Sequence, residues 1–369
     1  MKSKKAVAGD NRLERRSALT AQLAPLKADA LLVSFLPNVR YLTGYTGSNG
    51  LLLLLASGEA TFFTDPRYKI QAAAEVDCPV KVSSGPILPD VVALAGKRKV
   101  RRLGFEKSRI GFEQYEYLKS KLPVRCSLEP LAGLTEALRM VKSEAEIALI
   151  RRSVELNSKA FEAALRSVRP GRTREMDLAA EIDHQMRKLG AERPAFETIV
   201  ASGPRSALPH AQRSDRIASK NELLLIDMGA TLDGYASDMS RVVFLGHPNT
   251  RIKRIYRAVL EAQLAAIDAV RPGVTAAHVD RQARRSLRAQ KLDKAFVHST
   301  GHGLGLEIHE PPRLGKNEKT RLQEGMAITI EPGVYLEGFG GIRIEDTVVI
   351  TKTGCEVLTP TSKELRELY

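Results

Sequence analysis

The sequence has no tryptophan, and aromatic residues make up only 5% of its 369 residues. Proteins that bind single-stranded nucleic acid stack the bases on aromatic rings, so this chain has little surface of that kind. Lysine and arginine nevertheless exceed aspartate and glutamate by 57 to 43, which gives a net charge of +14. The densest basic segments, residues 1–16 and Gly96–Arg102 (GKRKVRR), are typical of a solvated tail and a surface loop. We therefore expect the excess charge to favour solubility or acidic substrates rather than a nucleic-acid partner.

Cysteine and long apolar runs are also scarce. The three cysteines, Cys78, Cys126 and Cys355, are odd in number and far apart, which argues against a disulfide framework and for a reducing compartment. The longest apolar run, Leu51–Ala56, is far shorter than the roughly 18–20 residues that cross a bilayer. No apolar segment follows the basic residues at the start, so we expect no secretion signal. These features predict a cytoplasmic protein without a membrane partner.

The chain is long enough for two or three domains, at roughly 100–200 residues per domain. Before residue 135, strand-like segments and one helical segment alternate, which predicts a small α/β domain: Ala28–Phe35, Gly50–Ala56, Ala60–Thr64, Asp65–Val76, Arg102–Glu106 and Cys126–Pro130. A capping box, Ser143 followed by Glu146, then predicts the start of a long helix. We place the boundary near residue 138, with domains at 17–137 and 138–369.

The second region contains an internal repeat. Val168–Thr173 (VRPGRT) is matched by Val270–Thr275 (VRPGVT), and each copy lies between two segments with helical periodicity. The second helix of each pair is predicted at Arg174–Leu189 and Ala276–Gln290, and strand-rich sequence follows both. The repeat is either two independent helix ends or a duplicated helix–helix–sheet unit whose halves face each other across a site.

Two aspartates follow the first repeat. Asp227 ends the apolar strand Leu223–Ile226, and Asp238 lies in the strand that returns after turns at Gly229 and Gly234. Two carboxylates in an apolar sheet repel each other, and a divalent cation is the natural compensation. The alternative is a pair of surface aspartates near a turn.

A histidine-rich segment follows the second repeat. Residues 298–309 (HSTGHGLGLEIH) hold three of the seven histidines, with His302 among the glycines. A phosphate-binding loop would need a following helix or a Gly-Lys-Ser/Thr sequence. A zinc-protease motif would need a histidine where Arg313 stands. The spacing therefore favours a different metal or catalytic site over histidines that only fill a core.

Two glutamates complete the candidate set. Ala327–Val334 reads as a strand that reaches Glu331, and the alternation in Gly341–Ile350 places Arg343 and Glu345 on one face of a strand. The candidate ligands are Asp227, Asp238, His302, Glu331 and Glu345. Four carboxylates are too many for one ion and suit two adjacent divalent ions such as Mn²⁺, Co²⁺ or Zn²⁺, which implies metal-assisted hydrolysis. The chain has no Gly-x-Ser-x-Gly elbow and no cysteine beside a catalytic-looking histidine.

These segments resemble the pita-bread metallopeptidase family, which includes methionine aminopeptidase, prolidase and Xaa-Pro aminopeptidase. The segments that carry the resemblance are Asp227–Gly229 (DMG), Tyr235–Arg241 (YASDMSR), Gly301–Pro312 (GHGLGLEIHEPP), Glu331–Tyr335 (EPGVY) and Gly341–Asp346 (GIRIED). Asn38–Gly44 (NVRYLTG) and Thr64–Tyr68 (TDPRY) resemble the creatinase/prolidase-type N-terminal domain, which simple methionine aminopeptidases lack. Creatinases have that domain but lack the metal ligands. The resemblance implies a proline-specific peptidase of mixed α/β (α+β) class, with a small α/β N-terminal domain and a pseudo-two-fold pita-bread catalytic domain.

The resemblance also implies a role for each candidate ligand. Asp227 would chelate one metal ion, while Asp238 and Glu345 would bridge two. His302 would bind the first ion and Glu331 the second. Glu331 would also carry a proton from the attacking water to the leaving proline nitrogen.

Further residues receive roles from the same resemblance. His309 would stabilise the tetrahedral intermediate, and His210 would lie near the scissile carbonyl. His298 would line the pocket for the proline ring, and Arg343 would orient the bridging carboxylates. Arg313 stands where prolidases place an arginine for the C-terminal carboxylate of a dipeptide.

The resemblance leaves the class of activity open. The glycine-rich stretch Thr43–Gly50 and Thr64–Tyr68 favour an Xaa-Pro aminopeptidase, whereas Arg313 favours an Xaa-Pro dipeptidase (prolidase). The alternatives of other classes are a non-catalytic protein that binds nucleic acid or protein, and an enzyme that hydrolyses a non-peptide amide. The expected cofactors are two divalent metal ions per subunit, with Mn²⁺ preferred to Co²⁺ or Zn²⁺. The expected substrates are peptides with proline in second position, and the expected assembly is a homodimer in which one subunit's N-terminal domain covers the other's site.

Overall fold

The computed structural model describes residues 11–369, so most of the basic tail predicted at 1–16 lies outside the described residues. Between Arg139 and Met140 the chain divides into two compact units. Among residues 11–369, no helix is both long and apolar enough to cross a membrane. All three cysteines are free thiols.

The N-terminal unit is built around one six-stranded sheet. Its strands are β1 (Ala30–Val33), β2 (Leu51–Leu55), β3 (Ala60–Thr64), β4 (Val80–Val82), β5 (Arg102–Glu106) and β6 (Ser127–Leu131). Its helices are α1 (Arg12–Leu23), α2 (Leu36–Thr43), α3 (Lys69–Glu75), α4 (Ile87–Lys97), α5 (Phe112–Lys121) and α6 (Leu134–Met140), the last of which runs up to the division. The strand order is β4-β3-β2-β1-β5-β6, antiparallel through β1, β2 and β3 and parallel elsewhere.

Local sequence patterns predict five of the six strands and helix α3, but neither β4 nor the other five helices. The run at Leu51–Ala56 forms β2, and all its leucines are buried because the strand is internal to the sheet. The helix predicted at Asp65–Val76 begins differently, since Pro66–Tyr68 forms a 3-10 turn before α3. The Asp65 carboxylate accepts the Arg67 backbone N–H at 3.0 Å and so caps that turn.

The prediction of a solvated tail is wrong for residues 12–16. Helix α1 begins at Arg12, and Asn11 caps it by accepting the Glu14 backbone N–H. The Arg16 side chain is buried and donates to the Leu42 carbonyl oxygen at 2.7 Å and to Asp77 at 2.6 Å. A guanidinium can be buried here because a carboxylate and a carbonyl satisfy it.

The C-terminal unit has four long helices: α7 (Glu144–Leu165), α8 (Glu175–Lys188), α9 (Thr250–Asp268) and α10 (Ala276–Ala289). Its first strands are β7 (Arg193–Pro194), β8 (Ile199–Ser202), β9 (Glu222–Met228), β10 (Ala230–Leu232), β11 (Tyr235–Ala236) and β12 (Met239–Leu245). The later strands are β13 (Gly301–Gly303), β14 (Glu310–Leu314), β15 (Ala327–Ile330), β16 (Gly333–Leu336), β17 (Gly340–Arg343), β18 (Asp346–Ile350), β19 (Cys355–Val357) and β20 (Arg366–Leu368). Two 3-10 turns, Gly203–Ala207 and Asp293–Ala295, complete the unit.

The two halves of this unit repeat the same plan. Helices α7 and α8 belong to the first half with the sheet β20-β12-β9-β8, and α9 and α10 belong to the second with the sheet β14-β13-β15-β18-β19. Strand β9 is buried on both faces: Leu224 packs in the core with α7 and α8, and Leu225 packs in the core with α9 and α10. The repeat is therefore a duplicated helix–helix–sheet unit. The predicted capping box is also present, because Ser143 and Glu146 exchange hydrogen bonds at the start of α7.

Three of the candidate ligands lie where strands are interrupted. The single strand predicted at Gly341–Ile350 is wrong, because β17 pairs with β16 and β18 pairs with β15, and Glu345 lies at the changeover. Asp238 was predicted within a strand but lies between β11 and β12, and Glu331 lies between β15 and β16. At such breaks, side chains leave the regular in-and-out alternation of a strand and can converge.

Candidate metal centre

One cavity of about 830 Å³ in the C-terminal unit collects the predicted site residues. It is lined by Asp227, Asp238, His302, Glu331, Glu345, His210, His298, His309, Arg313 and Arg343. The first half of the duplicated unit supplies the two aspartates, and the second half supplies the glutamates and His302. The two halves therefore meet at this cavity.

The candidate ligand atoms lie close together. His302 Nε2 is 3.5 Å from Asp238 Oδ2 and 3.7 Å from Glu331 Oε1. One ligand atom from each of Asp238, His302 and Glu345 lies within 4.8 Å of the other two. Asp227 Oδ1 is buried and has no hydrogen-bond partner among residues 11–369. A buried carboxylate oxygen without a partner, beside three more carboxylates and an imidazole, fits divalent cations.

The backbone around His302 fixes which ring nitrogen faces the carboxylates. His302 Nδ1 lies 2.9 Å from the Gly303 carbonyl oxygen, so Nδ1 carries the proton and the lone pair of Nε2 points into the cluster. The His302 backbone N–H donates to Thr329 Oγ1 at 3.1 Å, which ties β13 to β15. A side chain at Gly301 would overlap the Thr329 carbonyl, so this close approach requires glycine.

Burial makes the carboxylate cluster costly without a cation. Burial raises the pKa of Asp238, Glu331 and Glu345 above the ordinary carboxylate range, and repulsion from neighbouring carboxylates raises the pKa of each further. The Arg343 guanidinium opposes this shift in all three. One arginine cannot neutralise four carboxylates, so the cluster is suited to additional positive charge.

Arg343 connects the ligands through two residues that the sequence analysis missed. Its Nη2 donates to Asp227 Oδ2 at 2.6 Å, and its Nε donates to Ser240 Oγ at 2.7 Å. Ser240 in turn donates to Glu345 Oε2 at 2.8 Å, so Arg343 orients Asp227 directly and Glu345 through Ser240. Arg343 Nη1 also donates to the Tyr335 hydroxyl at 2.7 Å. The missed residues, Ser240 and Tyr335, stand in the short motifs that carry Asp238 and Glu331. Their closeness in sequence to these candidate ligands was the signal that could have identified them.

Tyr335 extends the network to His298. His298 Nδ1 lies 2.8 Å from the Ser299 carbonyl oxygen and so carries a proton, and His298 Nε2 therefore accepts from the Tyr335 hydroxyl at 2.9 Å. Burial and, next, the charge of Arg343 lower the pKa of His298 to about 4, and burial raises the pKa of Tyr335 to about 12. Both shifts keep His298 neutral and Tyr335 protonated near pH 7, as this hydrogen bond requires.

The other predicted residues lie around the cluster. The His309 ring stands edge-on to the His302 ring with centroids 4.5 Å apart, and burial lowers the pKa of His309, which keeps it neutral near pH 7. His210 and Arg313 are exposed on the cavity lining. The arrangement brings a potential ligand cluster, neutral imidazoles and an arginine into one cleft, which suits hydrolysis of a polar substrate.

Comparison with known proteins gives matches in both parts of the chain. Residues 148–352 match Metallopeptidase family M24, and residues 15–141 match the Creatinase/Prolidase N-terminal domain. The chain belongs to metallopeptidase family M24. Membership of M24 identifies it as a hydrolase of the divalent-metal type, as the motifs predicted.

Relatives of this M24 chain match it along nearly its whole length. It is 39% identical over 337 residues to the Xaa-Pro dipeptidase of Pyrococcus horikoshii, covering 91% of this chain and 94% of the relative. The structure of the Xaa-Pro dipeptidase from Bacillus anthracis superposes with a TM-score of 0.94 at 36% identity, covering 97% of this chain and 100% of the other. The X-Pro aminopeptidase from Thermotoga maritima superposes with a TM-score of 0.88 at 34% identity, covering 94% and 100%. The predicted fold, an α/β N-terminal domain and a pita-bread catalytic domain, is confirmed.

The network around Arg343 makes one prediction for this M24 chain. We expect Tyr335→Phe to lower kcat/KM for peptide hydrolysis about 10–100-fold, because Arg343 and His298 lose the hydroxyl that joins them. Steady-state kinetics at saturating metal would measure the loss. Tyr256→Phe is the matched control, since this buried tyrosine donates to the Lys363 carbonyl outside the cavity. Equal losses in both variants would contradict the positioning role of Tyr335.

Proposed function

We propose that this chain is a dinuclear, divalent-metal-dependent exopeptidase that hydrolyses the Xaa-Pro bond at the N-terminus of peptides. The observation that carries the proposal is the convergence of His302 Nε2 with the Asp238 and Glu331 carboxylates, beside the unpartnered oxygen of Asp227. The relatives named Xaa-Pro dipeptidase and X-Pro aminopeptidase support the choice of the proline bond. The matches at 15–141 and 148–352 support domains at 17–137 and 138–369.

The metal ions would be held by the five candidate ligands: Asp227, Asp238, His302, Glu331 and Glu345. When bound, two such ions polarise the scissile carbonyl and lower the pKa of a water molecule so that it attacks at neutral pH. The mixed set of carboxylate and imidazole ligands favours Mn²⁺, with Co²⁺ or Zn²⁺ as alternatives. Arg343 and Ser240 hold the carboxylates in place by the hydrogen bonds described above.

The remaining residues would handle the substrate and its protons. Glu331, whose pKa is raised, takes the proton of the attacking water and delivers it to the proline nitrogen. His309 and His210 donate hydrogen bonds to the carbonyl oxygen as it gains negative charge. His298, which burial and the charge of Arg343 keep neutral, offers an uncharged wall to the proline ring. Proline nitrogen has no N–H, so recognition must rest on such a pocket rather than on a backbone hydrogen bond.

Two classes of exopeptidase fit this site. The exposed position of Arg313 at the cavity leaves space beyond a dipeptide, which supports an Xaa-Pro aminopeptidase. The 39% identity to an Xaa-Pro dipeptidase supports the second candidate, a prolidase in which Arg313 binds the C-terminal carboxylate of the dipeptide.

Free thiols at all three cysteines support a cytoplasmic location. Resemblance to the pita-bread family supports a homodimer, which light scattering would test.

Hydrolysis assays before and after metal removal test this proposal. We expect chelation to abolish cleavage of Ala-Pro and Ala-Pro-Ala, and added Mn²⁺, Co²⁺ or Zn²⁺ to restore it, because the carboxylate cluster cannot activate water alone. Ala-Ala and Ala-Ala-Ala are the control peptides and should be cleaved slowly. The ratio of tripeptide to dipeptide cleavage separates the two classes. Absence of cleavage with every metal would reject the peptidase.

A further inference from the structure

An arginine-rich surface lies on α10, in the second half of the catalytic unit. Four arginines at helical spacing, Arg281, Arg284, Arg285 and Arg288, line a cavity of about 550 Å³ together with Lys316 from the segment after β14. We call this the basic cavity. The function proposed above assigns no role to it.

The basic side chains of this cavity divide into two groups. Arg284 bonds to buried Asp280 at 2.8 Å and to the carbonyl oxygens of Phe296 and His298, so it braces the fold. Arg288 pairs with Asp293 at 3.0 Å. The other three are exposed and form neither a hydrogen bond nor an ion pair with any residue in the described range 11–369: Arg281, Arg285 and Lys316. Their charges are therefore available to a ligand.

Folding does not require arginines at these positions. Arg281 and Arg285 are like charges four residues apart on one helix, an arrangement that destabilises a helix. Helix α8, which follows the other copy of the repeat, carries acidic residues instead: Glu175, Asp177, Glu181 and Asp183. By the offset between the two copies of the repeat, Arg281 and Arg285 correspond to Ala179 and Asp183. The duplicated architecture thus accepts a neutral or an acidic residue at these positions, and the arginines of α10 need a reason outside helix stability.

A third cavity joins the basic cavity to the candidate metal centre. This connecting cavity, of about 420 Å³, shares Arg284 and Lys316 with the basic cavity. It shares His298 and Arg313 with the metal-centre cavity. The acidic Glu318 lines both the connecting cavity and the metal-centre cavity. Two hydrogen bonds from Thr320 lower the pKa of its carboxylate, so Glu318 keeps a negative charge between the metal centre and the three unpaired cations. A path therefore leads from the proposed proline pocket past Arg313 to the unpaired basic side chains.

We propose that the residues after proline in longer peptides follow this path, and that Arg281, Arg285 and Lys316 bind acidic side chains in that segment. The inference rests on the proposed exopeptidase function and specifies its preferred substrates. Charge complementarity carries it, because three unpaired cations line the end of a path that begins at His298. A dipeptide ends at Arg313 and gains nothing from these charges.

Four peptides test the proposal with the Mn²⁺-loaded, full-length protein. They are Ala-Pro-Ala-Asp-Asp, Ala-Pro-Ala-Ala-Ala, Ala-Pro-Ala-Lys-Lys and Ala-Pro. We expect kcat/KM for the Asp-Asp peptide to exceed that for the Lys-Lys peptide by about tenfold or more at low salt, with the alanine peptide between them. The difference should shrink when the ionic strength rises, since salt screens exposed charges.

A double variant separates this surface from the metal centre. Arg281→Ala/Arg285→Ala should remove most of the preference for the Asp-Asp peptide, leave Ala-Pro cleavage unchanged and leave the unfolding temperature unchanged or slightly raised. Arg172→Ala/Lys188→Ala is the matched control, because both residues are exposed and line none of the three cavities. It removes the same charge and should retain the preference.

The possible outcomes distinguish the inference from the function on which it rests. If no peptide is cleaved, including Ala-Pro, the proposed function itself fails. Equal rates for the three pentapeptides, or cleavage of Ala-Pro alone, would overturn only the inference. If the double variant keeps its peptide preference but changes its molar mass in light scattering, the surface contacts a second subunit. If it keeps that preference but loses binding to a DNA oligonucleotide, the surface binds nucleic acid. Either result would also reject the inference.

Discussion

Replacing Glu345 with glutamine is expected to lower peptide hydrolysis by at least about 1000-fold and yet to stabilise the metal-free protein. Loss of a ligand removes a metal contribution of several kcal/mol, and each 1.36 kcal/mol corresponds to about tenfold in rate. The amide keeps the shape of the side chain and can still accept the Ser240 hydroxyl, which now bonds Glu345 Oε2 at 2.8 Å. Kinetics with added Mn²⁺ and denaturant unfolding of the metal-free protein measure the two effects.

The stabilisation follows from the direction of the pKa shift. Burial, and then repulsion from Asp238 and Glu331, raise the pKa of Glu345, so its ionised form is disfavoured in the folded protein. Glutamine removes this charge, and the expected gain is about 1–2 kcal/mol at pH 8, typical of a stabilising change at a functional site. Glu337→Gln, in the exposed turn between β16 and β17, is the control and should change neither quantity. A less stable metal-free Glu345→Gln variant would contradict the account of the cluster.

The second large expected effect is a change in the stability of the protein with pH, in opposite directions without and with bound metal. The carboxylates of Asp238, Glu331 and Glu345 have raised pKa values in the metal-free folded protein, so the folded state binds more protons than the unfolded chain. Their contribution to stability is complete below the ordinary carboxylate pKa of about 4, and it is lost as the pH rises through the raised values. From this cluster we therefore expect the metal-free protein to lose stability as the pH rises above the ordinary carboxylate range.

Bound metal should reverse this dependence. Divalent cations need ionised carboxylates, so Mn²⁺ binding releases protons and strengthens as the pH rises. At a free Mn²⁺ concentration of 100 times Kd, we expect each bound ion to add about 2.7 kcal/mol to the stability of the metal-free protein. Calorimetry in two buffers with different ionisation enthalpies would count the released protons, and thermal unfolding at several pH values would follow the stability. The stability of the metal-free Asp238→Asn variant should depend less on pH than that of the unchanged protein, because its cluster has one carboxyl group fewer. Binding without proton release at pH 6 would be inconsistent with the raised pKa values.

The sequence could predict features that depend on neighbouring residues. The Ser143–Glu146 capping box begins α7 because its hydrogen bonds span only one turn. The leucines of β2 predict an internal strand because burial on both faces needs a continuous apolar run. The motifs around Asp227 and His302 also pointed to metal chemistry, because few other arrangements tolerate so many carboxylates near an imidazole.

The sequence could not predict contacts between distant segments. From the sequence, Tyr335 had no role beyond its place in the motif Glu331–Tyr335, whereas in the structure its hydroxyl joins His298 to Arg343. Arg16 looked like part of a solvated tail because its partner, Asp77, is far along the chain. Alternation also placed Glu345 on a regular strand face, whereas β17 and β18 pair with different strands and leave it at the changeover.

The sequence by itself therefore determined the chemical inventory of this protein: its candidate metal-ligating residues, the two copies of its repeated motif and its family. Only the tertiary structure decided how that inventory is used. It decided which nitrogen of His302 faces the carboxylates, how Arg343 reaches Glu345 through Ser240, and that adjoining cavities lead from His298 to the unpaired Arg281 and Arg285. The physical reason is that residue type and local pattern act over a few residues, whereas hydrogen bonds, burial and repulsion at the site join strands and helices that only the folded chain brings together.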